Sequence, residues 1–149
     1  MAALEELTTV AGVTCVVPAF NASNTIDACL ASLLAQRTDI PIEVIVVDDG
    51  SEDDTSVKAQ QWCKRFAQLK MSLRVIRQPS NGGAARARNA GISNASYDWI
   101  LTCDADDASR PQRVAALRRA AETQTDAKNT LFGSRFSRHP PDATERYAE

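Results

Sequence analysis

The sequence predicts an α/β protein built on a mostly parallel sheet with helices on both faces. Three observations carry that expectation. Short apolar runs alternate four times with helical patterns, the rhythm of strand–helix units around a parallel sheet. The second run, 42–47, has five aliphatic residues interrupted only by Glu43, as expected of a strand covered on both faces. Two of the runs end in crowded acids, Asp48-Asp49-Gly50-Ser51 and Asp104-Ala105-Asp106-Asp107. Carboxylates are costly to bury and add nothing to a core, so at strand ends they mark an edge that holds something cationic or polar.

The first strand is Val13-Thr14-Cys15-Val16-Val17, stopped by Pro18. In the helix that follows, Asn24 and Asp27 are spaced as a cap pair, and Ile26, Cys29, Leu30, Leu33 and Leu34 share one face. After the second strand, a helix over 55–69 places Ala59, Trp62, Cys63 and Phe66 at helical spacing. A short third strand occupies 73–77. The third helix, 82–94, is rich in glycine and alanine, which permits close approach of backbone to sheet or ligand. A fourth strand spans 97–103. The fourth helix is expected to begin at Ser109, where Ser109-Arg110-Pro111-Gln112 combines capping-box spacing with an early proline. Its apolar side is Val114, Leu117 and Ala121. Residues 130–136 read as a further strand, and Pro140-Pro141 opens an irregular end.

Right-handed crossovers with one reversal of winding give the strand order 3-2-1-4. The carboxyl ends of strands 1, 2 and 4 then share one edge, where ligands bind in open α/β sheets. Residues 18–21, 48–51 and 104–107 converge there.

Composition narrows the function classes. The 149 residues suffice for one domain with a real core. A net charge of −2 argues against wholesale electrostatic binding to nucleic acid or anionic membrane. From Arg110 to Arg138 seven bases outnumber the acids Glu122 and Asp126, a pattern that a solvated helix face explains and that a phosphate-bearing partner also fits. Cys15, Cys29, Cys63 and Cys103 form no C-x-x-C pair, which disfavours zinc and redox motifs. Neither a signal pattern nor a run of about 18 apolar residues occurs in the sequence. These features lead us to expect a reduced, cytoplasmic protein.

The motifs differ in what they demand. Asp104 and Asp106, one residue apart, point the same way in extended backbone and can hold one hard cation, Mg2+ or Mn2+, if a phosphate supplies further oxygens. They equally suit a polar loop before the fourth helix. The Asp48–Ser51 stretch fits a tight turn with Asp53 or Asp54 capping the second helix. It also resembles the ribose-binding acid of dinucleotide folds, but strand 1 is followed by Pro18-Ala19-Phe20-Asn21 rather than G-x-G-x-x-G. In the small-residue helix, Arg88 or Arg86 can meet a diphosphate or a carboxylate. His139, the sole histidine, stands beside Pro140, so no Ser-His or Cys-His nucleophile system assembles.

Taken together, "VVPAFNAS", "VIVVDDGSEDDT", "NGGAARARNAG" and "LTCDADD", in this order and spacing, resemble family 2 glycosyltransferases of the three-layer GT-A fold. The resemblance covers about 13–119 and implies a UDP-sugar donor. It implies that Pro18, Ala19 and Phe20 line the nucleoside pocket with Asp49 facing the base. It places Asp104 at the ribose, with Ala105 also in the substrate-binding set, and gives Asp106 the metal that bridges the diphosphate. The segments "PQRV" and "GSRFSRHPPDATERYAE" are similar to the eukaryotic β-1,3-N-acetylglucosaminyltransferase-like protein 1 group, which also brings in galactosylation of queuosine in tRNA.

The implied activity is metal-dependent inverting transfer of a hexose or hexosamine, from UDP-GlcNAc or UDP-Gal, to a hydroxyl on a glycan or a tRNA nucleoside. Inverting members of the family carry their general base in an acceptor half, well after the acidic turn. Here 13–119 corresponds to the nucleotide-sugar part and 120–149 to the start of the acceptor side. The base is therefore expected beyond Glu149, and the chain is expected to be one truncated domain that binds a donor without transferring. A nucleotide-binding or interaction module without catalysis is the competing expectation.

Overall fold

A computed structural model describes residues 10–123. Within them lie β1 (Val13–Ala19), α1 (Ile26–Leu34), β2 (Ile42–Asp48), α2 (Thr55–Gln61), α3 (Cys63–Gln68), β3 (Ser72–Arg77), α4 (Ala84–Ser93), β4 (Trp99–Thr102) and α5 (Arg113–Glu122). The four strands form one sheet in the order β3-β2-β1-β4, and every neighbouring pair is parallel. That is the predicted order and the sheet of a GT-A fold. The strand expected at 130–136 and the histidine at 139 lie outside the described residues.

Alternation along the central strands sorts the core into two layers. Val13, Cys15, Val17, Val44 and Val46 face Ile26, Cys29, Leu30 and Leu33 of α1, Ala59 of α2, Phe66 of α3 and Val114 of α5. Ile45 and Val47 face Ala87 and Ala90 of α4 on the other side. Ile26, Leu30 and Leu33 are each fully buried, and such side chains contribute about 1.5–3 kcal/mol apiece. Gly91 shows why α4 is rich in small residues: a Cβ there would sit 2.4 Å from Cγ1 of buried Val16.

At the edge of the sheet opposite the acids, Glu43 is buried but fully engaged. It accepts from Thr14 Oγ1 (2.8 Å), Ser96 N (2.8 Å), Ser96 Oγ (2.9 Å) and Arg74 Nη2 (2.9 Å). Burial opposes ionisation, yet these donors bring its carboxyl below the ordinary value of 4.5.

Several boundaries differ from the sequence reading. The first strand does not stop at Pro18 but continues to Ala19. Pro18 lies beyond the last β1–β4 pair, Val16 with Thr102, so its missing N–H forfeits no ladder bond. Asn24 and Asp27 are not a cap pair. α1 begins at Ile26 with no side-chain cap, and Asp27 instead accepts from Trp62 Nε1 at 2.7 Å and pairs with Lys58 at 3.6 Å. The helix expected over 55–69 is two helices meeting at Trp62, whose amide turns back to Ala59 O at 3.2 Å. The third helix starts two residues late, at Ala84, and the fourth strand is shorter than 97–103.

The last helix starts at Arg113, not Ser109. Ser109 is buried, donates its amide to Ser32 Oγ at 2.9 Å, and caps nothing. The cap comes from another part of the chain: Gln36 Oε1 accepts from Val114 N at 3.0 Å, while its Nε2 reaches Arg110 O at 2.8 Å. No described helix is long and apolar enough to cross a membrane.

Candidate functional site

The carboxyl ends of β1, β2 and β4 lie along one edge of the sheet, as their parallel register requires. Pro18 and Ala19 are buried there, and Phe20 is 45% exposed. The loops after β1 and β2 are stitched together. Asn21 N donates to Ser51 Oγ (2.9 Å), Glu52 N to Asn21 Oδ1 (2.9 Å), Ala22 N to Thr55 Oγ1 (2.8 Å) and Ser23 N to Asp53 Oδ2 (3.0 Å). Asn21 takes a positive φ of 48° to make this turn. Asp53 also accepts from Thr55 N at 3.0 Å and from the Thr55 hydroxyl. The Thr55 hydroxyl foremost, with the Ser23 and Thr55 amides, holds the Asp53 carboxyl well below the usual range.

Asp48 and Asp49 divide their tasks by alternation. Asp48 is fully buried, accepts from Ser51 N at 2.9 Å and lies 3.6 Å from Arg77 Nε. Arg77 Nη2 also donates to Ser51 O at 2.8 Å. Asp49 points to the α4 side, where one oxygen accepts from the amides of Gly82 (2.9 Å) and Gly83 (2.7 Å). Its other oxygen, Oδ1, is buried without a hydrogen-bond partner. Gly50, at φ +77°, makes the close packing possible, because a Cβ there would meet Asn81 N at 2.8 Å.

The acidic segment after β4 is a turn, closed by Asp107 N to Asp104 O at 3.0 Å. The extended backbone expected for Asp104-Ala105-Asp106 is therefore wrong. Ala105 is 6% exposed and anchors the turn, while Asp104 and Asp106 both stand in solvent. Arg88 of α4 donates to Asp104 Oδ1 at 2.7 Å, so its partner is a carboxylate. Asp107 is raised by burial first, then by the charges of Asp106 and Asp104. The turn is thus a patch of hard oxygen donors whose mutual repulsion a cation would relieve. Among the described residues, no three His, Cys, Asp or Glu side chains are grouped to hold a metal ion. The donor set fits a hard divalent ion only if a phosphate or water completes its shell.

Thiols line the underside of this turn. Cys29 Sγ and Cys103 Sγ lie 3.9 Å apart, and both approach Asp104 O, at 3.6 and 3.7 Å. Cys103 is brought down to about 7, by the Cys29 thiol first and, against desolvation, by Ser109 and Arg113. Cys29 is pushed up, by the same contact and by burial. Cys15 is pushed up to about 12 by burial. Sequence spacing gave no sign of this cluster, nor of the Gly82 and Gly83 amides at Asp49, because each joins segments that are distant in sequence and meet only in the fold.

A parallel sheet ordered 3-2-1-4, with acids at its reversal point, defines an open α/β protein of the kind that binds ligands at the carboxyl ends of its strands. The chain belongs to glycosyl transferase family 2, whose model matches residues 14–138. It is 38% identical over 125 residues to the hyaluronan synthase of Pasteurella multocida, covering 83% of this chain and 12% of that protein. The chondroitin synthase of the same species is 33% identical, with the same coverage of each chain. Among solved structures, S. aureus TarS in complex with UDP-GlcNAc matches with a TM-score of 0.61 and 30% identity, over 74% of this chain and 30% of that one. The mannosyltransferase PcManGT from Pyrobaculum calidifontis, in complex with GDP-Man and Mn2+, matches with a TM-score of 0.65 and 27% identity, over 74% and 32%. The chain therefore spans less than a third of the length of these relatives.

Proposed function

We propose that this chain is the donor-binding part of a metal-dependent inverting glycosyltransferase that moves a hexose or hexosamine from a UDP-sugar to an acceptor hydroxyl. One observation carries the reading: Asp49 Oδ1 is buried and unpartnered at the edge where the acidic turn also opens. A buried carboxylate oxygen without a donor is costly, and a nucleobase N–H would satisfy it. Phe20, 45% exposed at the same strand ends, offers an aromatic side chain. Asp104, oriented by Arg88, is assigned to the ribose hydroxyls together with Ala105, and Asp106 to the metal, Mg2+ or Mn2+. When bound, the cation would neutralise charge on the departing diphosphate. The complex of TarS with UDP-GlcNAc supports a uridine donor, and that of PcManGT with Mn2+ supports the metal.

The base that deprotonates the acceptor is assigned to no described residue. A narrower alternative, galactosylation of queuosine in tRNA, rests on the resemblance of 111–114 and 133–149 alone; the latter segment lies outside the described residues. The four free cysteines support a cytoplasmic setting.

Calorimetric titration of the chain with UDP, beside Asp49→Asn, tests the donor pocket. The asparagine keeps the shape but can no longer accept at both oxygens, so UDP should bind about tenfold or more weakly. Equal affinity of the two proteins, or no UDP binding by the folded chain, would contradict the assignment.

A further inference from the structure

We propose that Cys29 and Cys103 are an oxidisable pair that closes to a disulfide beneath the acidic turn when a hydroperoxide reaches it. The residues are 74 positions apart, on α1 and just after β4, and the fold sets their sulfurs 3.9 Å from each other. Both are free. Bond formation requires the sulfurs to close from 3.9 Å to about 2.05 Å. Cys29 is fully buried and Cys103 is 3% exposed, so the peroxide meets Cys103 first. Ser109 Oγ, 3.6 Å from Cys103 Sγ and itself held by Arg113 Nη1 at 2.9 Å, lies beside the attacking sulfur.

The chemistry balances with the peroxide as the two-electron oxidant. Cys103 sulfur attacks a peroxide oxygen, the O–O bond breaks, and the leaving oxygen departs as an alcohol or water carrying the thiol proton. Cys29 sulfur then attacks the resulting sulfenic sulfur. The S–O bond breaks and water leaves with the Cys29 proton. The product has no S–H group, so Asp104 O loses both thiols that approach it, at 3.6 and 3.7 Å. The effect on ligand binding rests on the donor-site reading above; formation of the bond does not.

The test is peptide mapping by mass spectrometry of the folded chain after hydrogen peroxide, in a Cys63→Ser background that removes the more exposed thiol, paired with UDP titration in Mn2+. We expect one cross-linked peptide joining 29 to 103, reversed by dithiothreitol. UDP should bind about fivefold more weakly after oxidation, the effect of one lost net hydrogen bond, with recovery on reduction. Cys29→Ser should keep its UDP affinity through the same treatment. Two free thiols at 29 and 103 after peroxide, or a bond from Cys103 to Cys15, would overturn the pair. A 29–103 bond with unchanged UDP affinity would overturn its coupling to the turn. Should the reduced chain bind no UDP, the donor reading fails while the mapping still decides the pair.

Discussion

Asp49 and Glu43 are both buried acids, and the difference between them separates ligand chemistry from architecture. Glu43 has donors on both oxygens, whereas Asp49 has one oxygen occupied by two amides and one left over. The first is complete and holds the start of β4 to β2. The second is complete only with a further donor. In the sequence an acid at the end of an aliphatic strand has no packing use, which marked Asp48 and Asp49 alike, and only the family resemblance singled out Asp49. The residue pattern could not distinguish the two, because that depends on which face of the strand α4 covers. Glu43 also gives a pH prediction. Its folded value is lowered, so its stabilisation is present above the ordinary 4.5 and fades as pH falls through the lower folded value. Denaturant unfolding between about pH 7 and pH 3 should show Glu43→Gln less stable by about 1–3 kcal/mol at neutral pH. The gap should shrink in acid. A constant difference across that range would contradict the role given to its charge.

Elements were legible where periodicity decides them and illegible where distant residues do. The apolar face of α1 was read correctly from spacing, and four of its five named members are fully buried. The start of α5 was not, because the residue that caps it, Gln36, sits on the far side of the chain and carries no local signal. Ser109 has the right spacing for a cap, but its buried contacts with Ser32 and Cys103 claim it first. In α4 the small residues serve close packing. Gly91→Ala would gain up to about 1 kcal/mol in helix propensity, yet its Cβ would fall 2.4 Å from Val16 Cγ1. Overpacking of that kind costs about 1–3 kcal/mol, so the variant should be net destabilised. A denaturation midpoint at or above that of the parent would show that α4 can move off the sheet without loss.

At the scale of the molecule, the strand order followed from the alternation of runs and the handedness of crossovers. The convergence of 18–21, 48–51 and 104–107 followed from the order. What no pattern could reveal is how the loops fasten to one another: Asn21 to Ser51, Asp49 to Gly82 and Gly83, Arg88 to Asp104. Those contacts tie the three motifs together, two of them through α4 and the loop before it, and they exist only in the folded chain. The chain spans less than a third of the length of the relatives it matches, and the proposed function assigns it a donor site without a base, so ligand binding rather than turnover is the property to measure. In the proposed function Asp106 would hold the divalent cation that neutralises a diphosphate at the acidic turn. Calorimetric titration with UDP, with and without Mn2+, on the parent chain and on Asp106→Ala tests this most directly. Binding should strengthen about tenfold or more with Mn2+, and the alanine variant should lose the Mn2+ dependence while staying folded. An Asp106→Ala chain that binds UDP with the same Mn2+ dependence as the parent would contradict it.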